Sequence, residues 1–210
     1  MRALVRPGDL VVDVGANLGW FSLVMAEAVG PGGEVWAVEP TPPILRALKR
    51  NLALNESLNV RVFELALGDA AGTAEIHIFS GLPHGHASVS TLDRTDYNTH
   101  DVERRTLDDL LDGRVPAFVK IDVEGSELAV LRGASATIAA ECPPMWMIEV
   151  NYETSAAFGF QPADLLALFR DAHVLRITEG GLEPERQPAA APNGSNWVVV
   201  PHCHHDRIPT

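Results

Sequence analysis

Cysteine, positive charge and long apolar runs are all scarce in this chain of 210 residues. The two cysteines, Cys142 and Cys203, lie far apart and in no CxxC pattern, so neither a disulfide framework nor a cysteine-based zinc site is predicted. No apolar run approaches the ~20 residues of a membrane-spanning helix, and the start "MRALVRPGDLVV" lacks the apolar core of a secretory signal. We therefore expect a cytoplasmic protein with no membrane partner.

The excess of acidic over basic residues limits which classes of ligand this chain is expected to bind. The chain has 16 Lys and Arg against 28 Asp and Glu, for a formal net charge of −12. Nucleic-acid binding needs clustered basic residues, so no nucleic-acid partner is expected. An acidic chain suits neutral or cationic ligands and divalent metals. Its composition, rich in alanine and poor in lysine, is typical of a high-GC bacterial source.

The apolar pattern predicts an α/β fold in a single domain spanning residues 1–210. Strand-like runs such as "DLVVDV", "EVWAVEP" and "PMWMIEVN" alternate with helix-like segments, which indicates a mostly parallel sheet with helices on both faces. Three stretches are predicted to lie outside these elements: residues 80–105 as a mobile loop beside the site, 180–195 as a surface loop, and 202–210 as a tail. In that tail, His202, His204 and His205 flank Cys203 as a candidate metal site, but adjacent histidines in a tail are more often solvated.

The stretch "DVGANLG", residues 13–19, ends the first predicted strand and leads into a helix. It matches neither the GxGxxG dinucleotide fingerprint nor the GxxxxGK[ST] phosphate loop, so a pyrophosphate ligand is disfavoured. A smaller nucleoside with an amino-acid tail fits better, because Gly15 permits close backbone approach and the helix start offers free N–H groups. The alternative is a plain tight turn between a strand and a helix.

Two later strand ends carry further candidate residues. Glu39 lies just over twenty residues after the glycine turn, where an acid can accept hydrogen bonds from both ribose hydroxyls. The alternative for Glu39 is a solvated acid before a helix. The run "VKIDVEGSE" presents Lys120, Asp122 and Glu124 at alternating positions on one side of a strand. Burying three charges is costly unless they are paired or functional, and a buried Lys–Asp pair without chemistry stays open.

Six stretches taken in order resemble the FkbM family of S-adenosylmethionine-dependent methyltransferases. They are "DVGANLGWFSL", "AVEP", "ALGD", "TLDDL", "VKIDVEGSELAVLRGA" and "MIEVN". The resemblance implies a Rossmann-like class I methyltransferase sandwich, with a seven-stranded, mostly parallel sheet whose last strand is antiparallel. It also implies O-methylation of a hydroxyl on a sugar, polyketide or similar natural product.

The resemblance also implies roles for individual residues. Asp122 would lie beside the methyl-bearing sulfonium and Glu124 near the acceptor. The implied cofactor-binding residues are Asp13, Gly15, Asn17 and Gly19 around the methionine part, Glu39 and Pro40 at the ribose, and Ala66, Leu67, Gly68 and Asp69 around the adenine.

A sugar hydroxyl is a poor nucleophile, so a general base or a metal must assist the transfer. Two base candidates are His84 and His86, because histidine can accept a proton near neutral pH. The others are the carboxylates Asp122 and Glu124, with Lys120 beside them. The metal alternative is Mg²⁺ held by Asp122, Glu124 and Glu149, whose hard oxygen atoms suit that ion.

We therefore predict an S-adenosylmethionine-dependent O-methyltransferase acting on a sugar, glycan or glycosylated natural product. The alternatives are a cofactor-binding protein without turnover, or a methyltransferase of a non-sugar small molecule. A nucleic-acid methyltransferase is opposed by the charge and by the lack of an [ND]PP[YF] stretch. Since the chain begins almost at the first strand, the pocket lid is expected to come from the loop Gly81–Leu92 or from a partner subunit in a homodimer.

Overall fold

The computed structural model describes residues 2–57, 59–79, 87–88, 97–170, 172–185 and 193–208. The strands are β1 (Leu10–Val14), β2 (Glu34–Val38), β3 (Val60–Phe63), β4 (Ala66–Leu67), β5 (Gly72–Phe79), β6 (Ala87–Ser88), β7 (Tyr97–Arg105), β8 (Phe118–Ile121), β9 (Met145–Val150), β10 (Ala172–Thr178), β11 (Gly181–Pro184) and β12 (Ser195–Pro201). The helices are α1 (Trp20–Val29), α2 (Pro42–Leu54), α3 (Leu107–Leu111), α4 (Glu127–Arg132), α5 (Ser135–Ile138), α6 (Tyr152–Ala157) and α7 (Pro162–Leu166). Short 3₁₀ helices cover Arg2–Leu4 and His202–Arg207.

The main sheet has eight strands in the order β11-β10-β12-β9-β8-β1-β2-β3. Strands β3, β2, β1, β8 and β9 pair in parallel, whereas β12 is antiparallel to both β9 and β10. The predicted α/β class and the antiparallel last strand are confirmed. The eighth strand, β11, forms a hairpin with β10 at the sheet edge and lies in the segment 180–195 that was predicted to be a loop.

Both faces of this sheet are buried, which explains why its strands read as nearly continuous apolar runs. Alternate residues of β1 point in opposite directions: Val12 and Val14 join the core that contains α3 and α4, whereas Val11 packs with Met25 of α1. A third cluster seats α2 against Ala37 of β2. The prediction of helices on both faces is therefore confirmed.

A second, four-stranded sheet has the order β4-β7-β5-β6 and begins where the chain leaves β3. Strand β5 pairs antiparallel with β7 along its whole length. Residues 97–105 were wrongly assigned to the mobile loop, because they form β7. That strand is polar and largely exposed, so it lacks the apolar alternation by which half-buried strands are recognised.

The C-terminal segment is also more ordered than expected. Residues 202–207 form a 3₁₀ helix rather than a solvated tail, and Cys203 forms a disulfide with Cys142, which corrects the prediction of no disulfide. The guanidinium of Arg207 forms an ion pair with the partly buried carboxylate of Asp9, near the other end of the chain. No disulfide was expected because two cysteines 61 residues apart give no local signal. None of the described helices is long and apolar enough to cross a membrane.

Candidate functional site

A cleft opens at the carboxyl ends of β1, β2, β8 and β9, where open α/β sheets bind their ligands. The second sheet contributes one wall through β4 and β5. The cleft is lined by Gly15, Asn17, Glu39, Pro40, Thr41, Ile44, Ala66, Leu67, Ile76, Asp122, Val123, Glu124, Ser126 and Glu149. Apolar residues from α2, β4 and β5 therefore face acids and backbone groups from the strand ends.

The glycine turn after β1 is pressed against the end of β8. Gly15 has a φ of 77°, and a Cβ placed there would lie 1.8 Å from the Asp122 carbonyl oxygen. The Gly15 amide donates to the carbonyl of Val38, so the turn is also tied to β2. Asn17 follows with a φ of 51°, a conformation that is uncommon outside glycine and recurs at binding sites.

Glu39 is buried at the end of β2, and both of its carboxylate oxygens are held in place. Oε2 accepts a hydrogen bond from the Asn17 amide at 2.9 Å, and Oε1 accepts one from the Thr41 amide at 2.9 Å. Burial raises the pKa of Glu39, and these hydrogen bonds oppose that shift. The Thr41 side chain also hydrogen-bonds to this carboxylate, so Glu39 is a preorganised hydrogen-bond acceptor in the lining of the cleft.

Lys120 lies beneath the cleft in a buried charge cluster. Its Nζ is 3.5 Å from Asp13 Oδ1 and 3.1 Å from Asp122 Oδ2, and Ser22 donates to Asp13 Oδ2 at 2.6 Å. Burial opposes the charge on Lys120, but the two carboxylates outweigh it, so the pKa of Lys120 is raised. Lys120 thus forms the buried Lys–Asp pair that was left open, and it can orient Asp122 without reaching the cleft.

Asp122 and Glu149 form a carboxyl pair at the opposite end of the cleft from Glu39. Burial raises the pKa of Glu149 to about 8, and the hydrogen bond to Asp122 and the charges of Asp122 and Glu124 add to that shift. Near neutral pH, Glu149 therefore holds a proton that it donates towards Asp122. Asp122 and Glu149 therefore form a hydrogen-bonded pair along which a proton can be relayed.

One residue that the sequence did not single out shapes this end of the site. Glu127 is buried at the start of α4, and its Oε1 accepts hydrogen bonds from the amides of Val123 at 3.2 Å and Gly125 at 3.0 Å. These bonds close the turn that holds Glu124 at a φ of 53°. The signal was present in "VEGSE", where an acid in the first turn of a helix can turn back onto the preceding loop.

The structure brings together many of the predicted site residues. Those that line the cleft are Gly15, Asn17, Glu39, Pro40, Ala66, Leu67, Asp122, Glu124 and Glu149. The other described candidates lie outside the lining: Asp13 and Lys120 beneath it, Gly19 at the start of α1, and Gly68 and Asp69 after β4. His84 and His86 fall outside the described residues. Thr41, Ile44, Ile76, Val123 and Ser126 also line the cleft and were not predicted.

Comparisons with known proteins agree with this geometry. The family model described as "Methyltransferase FkbM domain" matches residues 13–173. The chain is 33% identical over 154 residues to "Methyltransferase sdnD" of Sordaria araneosa, a match that covers 59% of each chain. It is 34% identical over 159 residues to "31-O-demethyl-FK506 methyltransferase FkbM" of Streptomyces tacrolimicus, covering 61% of this chain and 60% of that one. The chain thus spans about three fifths of the length of these curated relatives.

A solved structure extends the likeness over nearly the whole chain. The crystal structure of "Methyltransferase FkbM from Methylobacillus flagellatus KT" matches with a TM-score of 0.57 and 19% identity, over 91% of this chain and 43% of that one. At this identity the likeness shows the fold alone, which is the Rossmann-like class I methyltransferase fold.

Proposed function

The chain belongs to the FkbM family of methyltransferases, and from this premise we propose that it transfers a methyl group from S-adenosylmethionine to a hydroxyl of a small molecule. The observation that carries the proposal is the arrangement of the cleft. A fixed carboxylate, Glu39, stands at one end, and the Asp122–Glu149 carboxyl pair stands at the other. When bound, the cofactor supplies an electrophilic methyl group on a sulfonium.

The lining residues fit such a cofactor. Glu39 offers two oriented oxygens to the ribose hydroxyls, and Ala66, Leu67 and Ile76 offer an apolar wall to the adenine. The turn at Gly15 allows backbone groups to approach the methionine part closely. In that arrangement Asp122, which also lines the cleft, would lie near the methyl group.

Asp122 is proposed as the residue that receives the acceptor's proton. Lys120 and Glu149 hold its carboxylate in place from two sides, so it needs no reorganisation to accept that proton. The acceptor hydroxyl would pass its proton to Asp122 as its oxygen took the methyl group, and the cofactor would leave as a neutral thioether. Glu124 also lines the cleft, and we assign it to the acceptor side.

The proposed acceptor is a sugar, a glycan or a glycosylated natural product. The name of the Streptomyces tacrolimicus relative describes O-methylation of a natural product by that protein, which supports a hydroxyl acceptor. A net charge of −12 favours a neutral acceptor over a nucleic acid. We further propose that the protein is cytoplasmic and forms a homodimer. We also propose that Asp122, Glu124 and Glu149 can hold Mg²⁺.

The cofactor is tested by calorimetric titration with S-adenosylhomocysteine. We expect micromolar binding to the wild-type protein, a loss of more than about tenfold in Glu39→Ala, and no binding of NAD. The matched control is Glu34→Ala, which removes an acid from the other end of β2 and should leave binding unchanged. No binding of S-adenosylhomocysteine, or equal weakening by both variants, would contradict the proposal.

Turnover is tested by transfer of a radiolabelled methyl group to a panel of sugars and glycosylated metabolites, with and without EDTA. Asp122→Asn should abolish transfer while S-adenosylhomocysteine still binds. Near-normal transfer by that variant would rule out the role of Asp122. Cofactor binding without transfer to any acceptor would favour the alternative of a binding protein, and loss of transfer in EDTA would support the metal.

A further inference from the structure

Three histidines from two elements converge at the C-terminal end of the chain. His173 lies in β10, and His202 and His205 lie on the 3₁₀ helix that follows β12. The Nε2 atoms of His173 and His205 are 2.7 Å apart, and the three ring centroids are separated by 4.4, 5.3 and 5.7 Å. One nitrogen from each ring lies within 4.8 Å of the others.

The backbone segments that carry these three histidines are held in place by contacts with the rest of the fold. His173 pairs with Val200 in the β10–β12 ladder, which directly precedes the 3₁₀ helix. The Cys142–Cys203 disulfide and the Arg207–Asp9 ion pair fix that helix from two sides. The spacing of the three rings is therefore set by the fold rather than by a loose tail.

We propose that His173, His202 and His205 bind a divalent transition-metal ion of the zinc class. Imidazole nitrogen is a preferred ligand of such ions, and three histidines with a water in the fourth position complete a tetrahedral site. Zinc–nitrogen bonds of about 2.0–2.1 Å place the ring centroids about 5 Å apart, close to the separations observed. Two ring nitrogens as close as those of His173 and His205 need either a shared proton or a cation, and an ion replaces that proton.

The rings need two adjustments to bind a single ion. Two nitrogens bound to one tetrahedral zinc lie about 3.3 Å apart, so the 2.7 Å separation of the His173 and His205 Nε2 atoms must widen. His202 and His205 are stacked with an interplanar angle of 2°, so one of them must rotate for both nitrogens to point at the metal. All three side chains are exposed, so this rotation is not opposed by core packing. The acidic character of the whole chain adds attraction for a cation.

The neighbouring group of Cys142, Cys203 and His204 is a less suitable site. Its sulfurs are joined to each other, and His204 Nε2 lies 3.1 Å from the Pro143 carbonyl oxygen, which makes it a hydrogen-bond donor there. His204 is also buried, unlike the other three histidines. The metal is therefore assigned to the exposed trio.

The cleft lies at the carboxyl ends of the parallel strands, and the proposed metal site lies at the opposite end of the sheet, by their amino ends. Strand β10 runs in the same direction as β9, because both are antiparallel to β12. His173 is near the start of β10 and His202 follows the end of β12, so both lie at the amino ends of the parallel strands. An ion there would join β10 to the C-terminal helix, a structural role separate from the proposed methyl transfer.

The test is a calorimetric titration of metal-stripped protein with zinc chloride under non-reducing conditions. We expect one ion per chain, with affinity reduced more than about tenfold in each of His173→Asn, His202→Asn and His205→Asn. His100→Asn, which removes an exposed histidine of β7, is the matched control and should bind as the wild type does. Zinc should also raise the melting temperature of the wild type and of the control, but not of the three variants.

A second variant separates this site from the cysteines. Cys142→Ser combined with Cys203→Ser removes both sulfurs and should retain zinc binding. The proposal is overturned by an absence of saturable zinc binding, or by binding that the three histidine variants do not weaken. Each of these outcomes is independent of whether the cleft binds S-adenosylhomocysteine.

Discussion

At Gly15 the glycine turn contacts the end of β8, and the space there excludes any residue with a Cβ atom. Gly15→Ala places a Cβ 1.8 Å from the Asp122 carbonyl oxygen, so the turn or Asp122 must move. We expect a loss of more than about 1 kcal/mol in unfolding free energy and weakened binding of S-adenosylhomocysteine. Denaturant unfolding and calorimetry measure the two effects.

Gly30→Ala is the matched control for this prediction. Gly30 also has a positive φ, of 64°, but a Cβ there meets nothing within 4 Å. It should carry the backbone cost without disturbing the cleft, so cofactor binding should match that of the wild type. If both variants bind alike, the close approach to Asp122 does not shape the site.

Glu149 makes the stability of the protein depend on pH. Its pKa is raised from 4.5 to about 8, so between these values the folded chain holds a proton that the unfolded chain releases. Stability attributable to this residue therefore falls as pH rises through that window. Glu149→Gln removes the titration, so we expect it to equal the wild type near about pH 5 and to exceed it by about 1 kcal/mol near about pH 9, allowing for solvent screening.

Urea unfolding at the two pH values measures this difference. The control is Glu153→Gln, which changes an exposed acid of the adjacent helix α6 and should leave the pH dependence as it is in the wild type. A wild-type protein and a Glu149→Gln variant that respond identically to pH would show that Glu149 titrates normally.

At the scale of elements, the side chain of Asp108 connects α3 to α5 through hydrogen bonds. The carboxylate of Asp108 accepts hydrogen bonds from the amides of Ala136 at 2.8 Å and Thr137 at 2.9 Å, and from the Thr137 hydroxyl at 2.6 Å. Asp108→Ala leaves these donors without their acceptor, so we expect a loss of about 1–2 kcal/mol in unfolding free energy, measured in urea. The exposed neighbour provides the comparison, since Asp109→Ala should change stability by less than about 0.5 kcal/mol. An equal loss of stability in the two variants would show that Asp108 does not connect the two helices.

The elements differ in how readily the sequence predicts them. Strands β1, β2, β8 and β9 are buried on both faces, and their apolar runs are visible in the sequence. Strand β7 and the hairpin strand β11 are mostly exposed, so they carry no apolar pattern. The strand predicted to carry Lys120, Asp122 and Glu124 ends at Ile121, so Asp122 and Glu124 lie in the turn before α4.

At the scale of the whole molecule, the Cys142–Cys203 disulfide closes a loop across the last third of the chain. The two cysteines are 61 residues apart, a separation for which loop-closure entropy gives about 4 kcal/mol of stabilisation as an upper value. We expect dithiothreitol to lower the melting temperature of the wild type and to leave the Cys142→Ser, Cys203→Ser variant unaffected. Thiol titration of the denatured, unreduced protein should find no free thiol, and two free thiols would contradict the bridge.

This bridge also bears on the predicted compartment. Disulfides persist mainly in oxidising environments, whereas the cytoplasm keeps thiols reduced. The cytoplasmic location stays a prediction, which the thiol content of protein isolated from its natural source would test directly.

The sequence by itself determined the α/β class, the glycine turn, Glu39 and the family, because each of these is written in a contiguous stretch at a strand end. Only the tertiary structure decided which groups interact there. Asp13 meets Lys120 because β1 and β8 are neighbours in register, and Glu149 reaches Asp122 because β9 lies beside β8. The same holds for His173 and the C-terminal histidines, which sheet order brings together. Contacts between residues far apart in the chain follow from which strands are adjacent, and local patterns of polarity do not encode that order.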